Sequence, residues 1–200
     1  HGLLRRQRQM CIRDRSQVAV ELVGDGGKVI GVDLEPCQPV EGAILLVGDI
    51  TVSSTQERIR NELDGRVINN IVSDISPDIT GNWDIDQAVA MTLVADVLDF
   101  SLDLLCKGGS FITKIFQGVG IEELIVAVKP YFSDVRRFSP MASRNSSSEV
   151  YLICRNHMPW VKRETTIRQT YETLLDVKLN PEEEVVEEQV FTGFKLRKKK

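Results

Sequence analysis

Two hundred residues with 42% hydrophobic and 27% charged side chains and a net charge of −4 describe an ordinary globular chain, with one good-sized core and room for an appendage. No apolar run is long enough to span a bilayer, and the arginine-rich start has no secretory apolar segment behind it, so a cytoplasmic protein without a membrane partner is expected. The four cysteines, Cys11, Cys37, Cys106 and Cys154, are scattered without paired spacing or nearby histidines, which argues against a zinc site or disulfide framework and for no bound metal.

In chain order, His1 to Arg15 holds five arginines and neither a β-branched run nor a glycine turn. Such a stretch cannot be a buried central strand, and it reads as foreign to the remainder of the chain, as a truncated or misjoined coding sequence would. From Ser16 the pattern alternates. SQVAVELVG is a helix end stopping at the glycines of GDGG; KVIGVDLEP and AILLVGDIT are strands. Thr55 to Leu63 is a short amphipathic helix opened by Ser and Thr caps. VINNIVSDISP is a strand, and Asp84 to Cys106 a long helix expected to end on KGG. GSFITKIF is a strand and Gly120 to Phe132 a helix with Glu122 and Glu123 in its first turn. DVRRFSP and EVYLICRN are strands joined by MASRNSSS, too short for a helical crossover, so they should pair antiparallel. Cys106 and Cys154 read as small core residues. Glu164 to Val177 is a plausible helix and QVFTGFKLR a short edge strand.

Alternating β and α units of this spacing mean a mainly parallel sheet covered on both faces. The expected division is 1–15 as a non-family segment, 16–157 as the main domain, and 158–200 as a helical appendage with a charged tail. That tail is segregated: PEEEVVEEQ holds five Glu and KLRKKK five bases, blocks that are usually solvated.

Open α/β sheets bind ligands beyond the carboxyl ends of their parallel strands. Polar residues collect at those ends. Asp33 closes VIGVD and Asp49 closes ILLVGD, either as acceptors for a nucleoside or as caps of their own turns. Asp74 follows INNIVS, and Pro77 biases Ser76 to an extended shape, leaving a loop over the crevice. Trp83 falls in that loop or, the better expectation, packs at the start of the next helix. Lys114 shares a strand face with Ile112 and Phe116, where a lysine is rare unless paired or functional. Glu149 opens the last strand.

The text around these residues, SDISPD, then TKIFQG, then SSSEVYLICR, resembles the FtsJ-like family of ribosomal RNA 2′-O-ribose methyltransferases, from about Ser16 to Asn156. The resemblance implies a Rossmann-like α/β fold, mainly parallel with one antiparallel strand. Its central first strand and the glycine-rich turn after it are missing here. It implies S-adenosylmethionine (SAM) as cofactor, with Asp33 at the ribose, Asp49 near the adenine and Asp74 beside the methionine moiety. It implies a catalytic set of Lys114, Asp74 and Glu149, in which Lys114 takes the ribose 2′-proton and Glu149 orients it. A further family lysine ahead of the first strand has no counterpart, since the first lysine is Lys28.

Burial lowers a lysine's pKa while flanking carboxylates raise it, and the sequence leaves open whether Lys114 is a neutral base or a protonated orienting group. Arg136, Arg137, Arg144, Lys162, Arg163 and the basic tail are candidates for RNA phosphate contacts. The expected function is methylation of a large-subunit ribosomal RNA uridine by a monomer. A transfer RNA methyltransferase, a catalytically dead RNA- or ribosome-binding protein, and a nicotinamide dehydrogenase suggested by Asp33 alone are the competitors.

Overall fold

The computed structural model describes residues 2–78, 80–139 and 149–180, with side chains from residue 12 onward. The expectations for MASRNSSS, Arg144, the acidic block, the edge strand QVFTGFKLR and the KLRKKK tail lie outside the described residues.

The elements run α1 (Gly2–Val23), β1 (Val29–Asp33), β2 (Ala43–Val47), α2 (Ser53–Leu63), β3 (Ile68–Ser73), α3 (Trp83–Leu102), β4 (Leu105–Phe116) and α4 (Ile121–Val128). A short 3-10 turn at Lys129–Tyr131 leads into β5 (Phe132–Phe138), then β6 (Glu149–His157) and α5 (Ile167–Leu179). β1 and β2 pair in parallel as one small sheet, while β3-β4-β6-β5 forms a second. In the second sheet β3 and β4 are parallel, and β6 runs antiparallel to both β4 and β5. Only β6 is reversed, as the chain's short final connection requires. Among the described residues no strand pairs with the free edge of β1 or of β3.

One face of the larger sheet makes the main core. Alternation along β4 buries Phe111, Thr113 and Ile115 and leaves Ile112, Lys114 and Phe116 half-buried on the other side. The buried set meets Val150, Leu152 and Cys154 of β6, Met91, Val94 and Leu98 of α3, Leu124 and Val128 of α4, and Ile167 and Tyr171 of α5. A second cluster joins Leu46, Ile59, Leu63, Phe100 and Leu104, with Ile50 and Ile68 packed against both clusters. The opposite face is less covered: Val72 is exposed beside half-buried Ile112. α1 lies on β1, close enough that a Cβ at Gly31 would stand 2.8 Å from Leu45 and 3.2 Å from the Ser16 hydroxyl. Glycine at 31 is what admits the helix.

Several boundaries differ from the sequence expectation. α3 ends at Leu102, and Lys107, Gly108 and Gly109 belong to β4. There the pairing with β3 shifts register between Ile68 and Asn70, and Gly108 takes a φ of 79°. The glycines serve a bulge, a use that local pattern cannot separate from a helix stop. α2 starts at Ser53 after Val52 with no side-chain cap, and Thr55 is instead buried against Gly48. α4 is shorter than expected, because Pro130 tightens its end into the 3-10 turn. α5 opens at Thr166, whose side chain forms a capping box with Gln169. Cys154 is fully buried as expected, whereas Cys106 is half-buried beside the Asn69 amide.

Candidate active site

Three of the proposed residues come together. Asp74 follows the carboxyl end of β3, Lys114 is near that of β4, and Glu149 begins antiparallel β6, so all three lie at one end of the sheet. Lys114 Nζ stands 2.9 Å from Asp74 Oδ1 and 3.3 Å from Glu149 Oε1. Oδ1 is a buried oxygen, and the ammonium is the cation that faces it. The Lys114 side chain is 17% exposed, enough burial to require a charge partner.

Electrostatics answers the question the sequence left open. Burial is the largest single influence on Lys114 and lowers its pKa, but hydrogen bonding and charge from Asp74, then Glu149, together outweigh it. The ammonium is held above its ordinary value of 10.5. Lys114 is protonated in this arrangement.

Arg15 is a site residue that sequence reasoning missed. Its guanidinium lies 2.5 Å from Asp74 Oδ2, so Asp74 answers two cations. Nothing in the composition of the first fifteen residues signalled this, since only the docking of α1 brings Arg15 to the crevice. Phe116, two residues beyond Lys114, is the other: its ring centroid is 5.8 Å from Nζ. Trp83 is the first residue of α3 and stands edge-on to Phe116, with centroids 5.8 Å apart and planes at 79°.

Asp33 ends β1, and Asp49 lies two residues beyond the end of its parallel neighbour β2. Asp33 Oδ1 accepts from the Glu35 amide at 3.1 Å, and Asp49 Oδ1 from the Thr51 amide at 2.8 Å and hydroxyl at 2.7 Å. The turn-capping role of each is therefore real. The Thr51 hydroxyl, then its amide, hold Asp49 below the usual carboxylate range, so it stays ionised as an acceptor. A hollow of about 50 Å³ beside Asp33 is lined by Gly31, Glu35, Cys37, Val47 and Ile12 of α1.

The basic candidates are mostly engaged. Arg137 pairs with Glu122 at 2.9 Å and Arg136 with Asp134 at 3.7 Å. Arg163 is structural: it bonds the Asp99 backbone carbonyl at 2.9 Å and the Asp103 carboxylate at 2.8 Å, tying the start of α5 to α3. Lys162 is exposed. No group of ligands suited to a metal ion occurs among the described residues, and no helix there is long and apolar enough to cross a membrane.

A family model for FtsJ-like methyltransferases matches residues 15–157. The ribosomal RNA large subunit methyltransferase E of Methanocaldococcus jannaschii is 39% identical over 145 residues, covering 70% of this chain and 59% of that protein. The protein of the same name from Methanoculleus marisnigri is 45% identical over 130 residues, covering 65% and 64%. That from Neisseria meningitidis serogroup C is 37% identical over 141 residues, covering 70% and 68%. The chain thus spans a little over half to two thirds of the length of these relatives. Among solved structures, a Plasmodium falciparum protein described as a ribosomal RNA methyltransferase aligns with TM-score 0.58 at 24% identity, covering 64% of this chain and 71% of that one. That likeness supports the Rossmann-like α/β fold. With the family match running unbroken through every strand and through the Asp74, Lys114 and Glu149 positions, the chain belongs to the FtsJ-like methyltransferase family.

Proposed function

We propose that this chain carries the catalytic machinery of a SAM-dependent ribose 2′-O-methyltransferase acting on ribosomal RNA, at a uridine of the large subunit, working as a monomer in the cytoplasm. The observation behind this reading is the Lys114 ammonium held between Asp74 and Glu149 at the carboxyl end of the sheet. The names of the relatives supply the substrate class.

The residues present fit SAM in part. Asp33 and Asp49 offer carboxylates near adjacent strand ends, suited to a nucleoside, and in this reading Asp74 meets the methionine end. Against that, Ile12 of α1 lines the small hollow beside Asp33 and Arg15 engages Asp74. When bound, SAM supplies a methyl group on a positively charged sulfur, already activated toward an oxygen nucleophile.

The chain's own residues then have three tasks. Lys114 has three N–H donors; two face Asp74 and Glu149, leaving one for the ribose 2′-oxygen. The carboxylates fix the direction of that third donor, so the oxygen is held in line for attack, where most of the rate advantage lies. Because Lys114 is already protonated, it orients the hydroxyl at the outset. The 2′-proton leaves as the C–O bond forms and the oxygen becomes acidic, passing to water on the half-exposed Glu149 side.

Large subunits lacking the modification, incubated with the chain and saturating SAM, test the reading. Methyl label on a ribose 2′-oxygen, absent with Lys114→Ala, is the expected result. Label on a base, or an unaffected Lys114→Ala, would overturn it.

A further inference from the structure

Trp83 is 49% exposed, and the backbone around it is tied down. The Asn82 side chain accepts from the Asp84 and Ile85 amides at 3.2 and 3.5 Å, fixing the first turn of α3. The Asp86 carboxylate binds the Thr80 amide at 2.8 Å and hydroxyl at 2.6 Å, and the Gly81 amide at 3.1 Å. Backbone on both sides of Trp83 is therefore stitched to the helix. The indole and the Phe116 ring stand at 79° with centroids 5.8 Å apart, and about half of the tryptophan stays in water. An indole kept rigid and half in water is poor packing and a good platform.

Its position says what it would receive. Lys114 Nζ is 5.8 Å from the Phe116 centroid, which is itself 5.8 Å from that of Trp83, so Phe116 borders both the amine and the indole. Asp33 and Asp49 belong to the other sheet. Resting on the function proposed above, we infer that Trp83 is a positioning residue for RNA: an unstacked base beside the reactive ribose stacks on its open face. RNA segments recognised as single strands are held in this way, by bases splayed onto aromatic side chains. Stacking is tolerant of base identity, so Trp83 contributes affinity and places the ribose at Lys114 without choosing the sequence.

The chain has two tryptophans, so Trp160→Phe leaves Trp83 as the sole indole reporter. This variant is titrated with a fluorescein-labelled single-stranded oligouridylate, following anisotropy for binding and indole emission for stacking. A matching abasic strand and SAM alone serve as controls. The expected result is quenching of Trp83 at the same midpoint as the anisotropy change, weak quenching by the abasic strand, and none by SAM. Trp83→Ala should weaken oligouridylate binding about tenfold and Trp83→Phe clearly less. In turnover Trp83→Ala should raise KM for RNA more than it lowers kcat, and its melting temperature should stay close to the parent's. Binding that leaves Trp83 emission unchanged, equal quenching by the abasic strand, or parental affinity of Trp83→Ala overturns the inference and leaves the RNA reading standing. Absence of binding by either signal overturns both.

Discussion

At the scale of single residues the candidate site is built on the Lys114 ammonium held between two carboxylates. Lys114→Ala is expected to lower methyl transfer roughly a hundredfold or more, in the range lost with a positioned proton-handling group, while SAM affinity measured by calorimetry stays within about threefold. Glu149→Gln should be milder, because Asp74 remains at 2.9 Å. It should also move the pH profile. The Lys114 pKa is raised, after burial has lowered it, by Asp74 and Glu149, so removing one carboxylate brings it down. If loss of a proton from this cluster limits the rate, turnover rises with pH into the alkaline range, and Glu149→Gln shifts that rise to lower pH. An unchanged profile would separate Lys114 from the rate-limiting proton. Stability depends on the same raised pKa. The ion cluster's contribution is complete below the ordinary lysine value and is lost only as pH climbs through the higher folded-state value.

At the scale of elements, α5 is docked by one carboxylate. Asp99 Oδ1 accepts from the Ile167 amide at 2.7 Å, and Oδ2 from the Arg168 amide at 3.2 Å, so two orphan donors at the helix start are satisfied from α3. Asp99→Ala is expected to cost about 2 kcal/mol in urea denaturation and to speed hydrogen exchange along α5, since it leaves those two amide donors without their acceptor. Burial, the dominant influence, raises the Asp99 pKa despite the bonds from Ile167 and Arg168 and the charge of Arg163. Folding therefore favours its protonated form, and its contribution declines as pH rises from the ordinary carboxylate value through the folded one. Asp99→Asn, permanently neutral and still an acceptor, should cost less than the alanine and should flatten that part of the pH dependence. A cost equal to that of alanine would show that the charge, and not the acceptor, anchors α5.

At the scale of the whole molecule, the two sheets have very different support. β4 and β6 each have paired neighbours on both sides, whereas β1 and β2 form a two-stranded parallel sheet whose stability comes from α1, α2 and the Leu46–Ile59–Phe100 cluster. Isolated two-strand pairs are marginal in water. Amides of β1 and β2 should exchange faster than those of β4 and β6, and equal protection would mean that the second cluster binds the sheets into one cooperative unit. The same open edges bear on the cofactor. With the hollow at Asp33 only about 50 Å³ and lined in part by Ile12, and Asp74 engaged by Arg15, SAM should bind at least tenfold more weakly than to the Methanocaldococcus jannaschii relative, a loss of ~1.4 kcal/mol or more. Calorimetry on both proteins decides it, and equal affinity would show that α1 yields to the cofactor.

The strand set, the single reversed strand and the three-residue cluster were legible in the amino-acid order. Period-two alternation around Lys114 showed which neighbours share its face, and MASRNSSS is too short to cross a sheet, so β6 had to turn back beside β5. These follow from covalent reach and from side-chain alternation, both properties of the local chain. Features that depend on the approach of distant segments were not legible. Glycines 108 and 109 make a bulge because β4 must slip past Ile68 to pair with Asn70. Arg163 binds Asp99 and Asp103 from more than fifty residues away and so is withdrawn from the RNA candidates. Arg15 reaches Asp74 through the docking of α1, which lies close over Gly31 of β1. The protonation of Lys114 belongs here too: burial and two carboxylates act on it in opposite directions, and only distances settle which effect is larger.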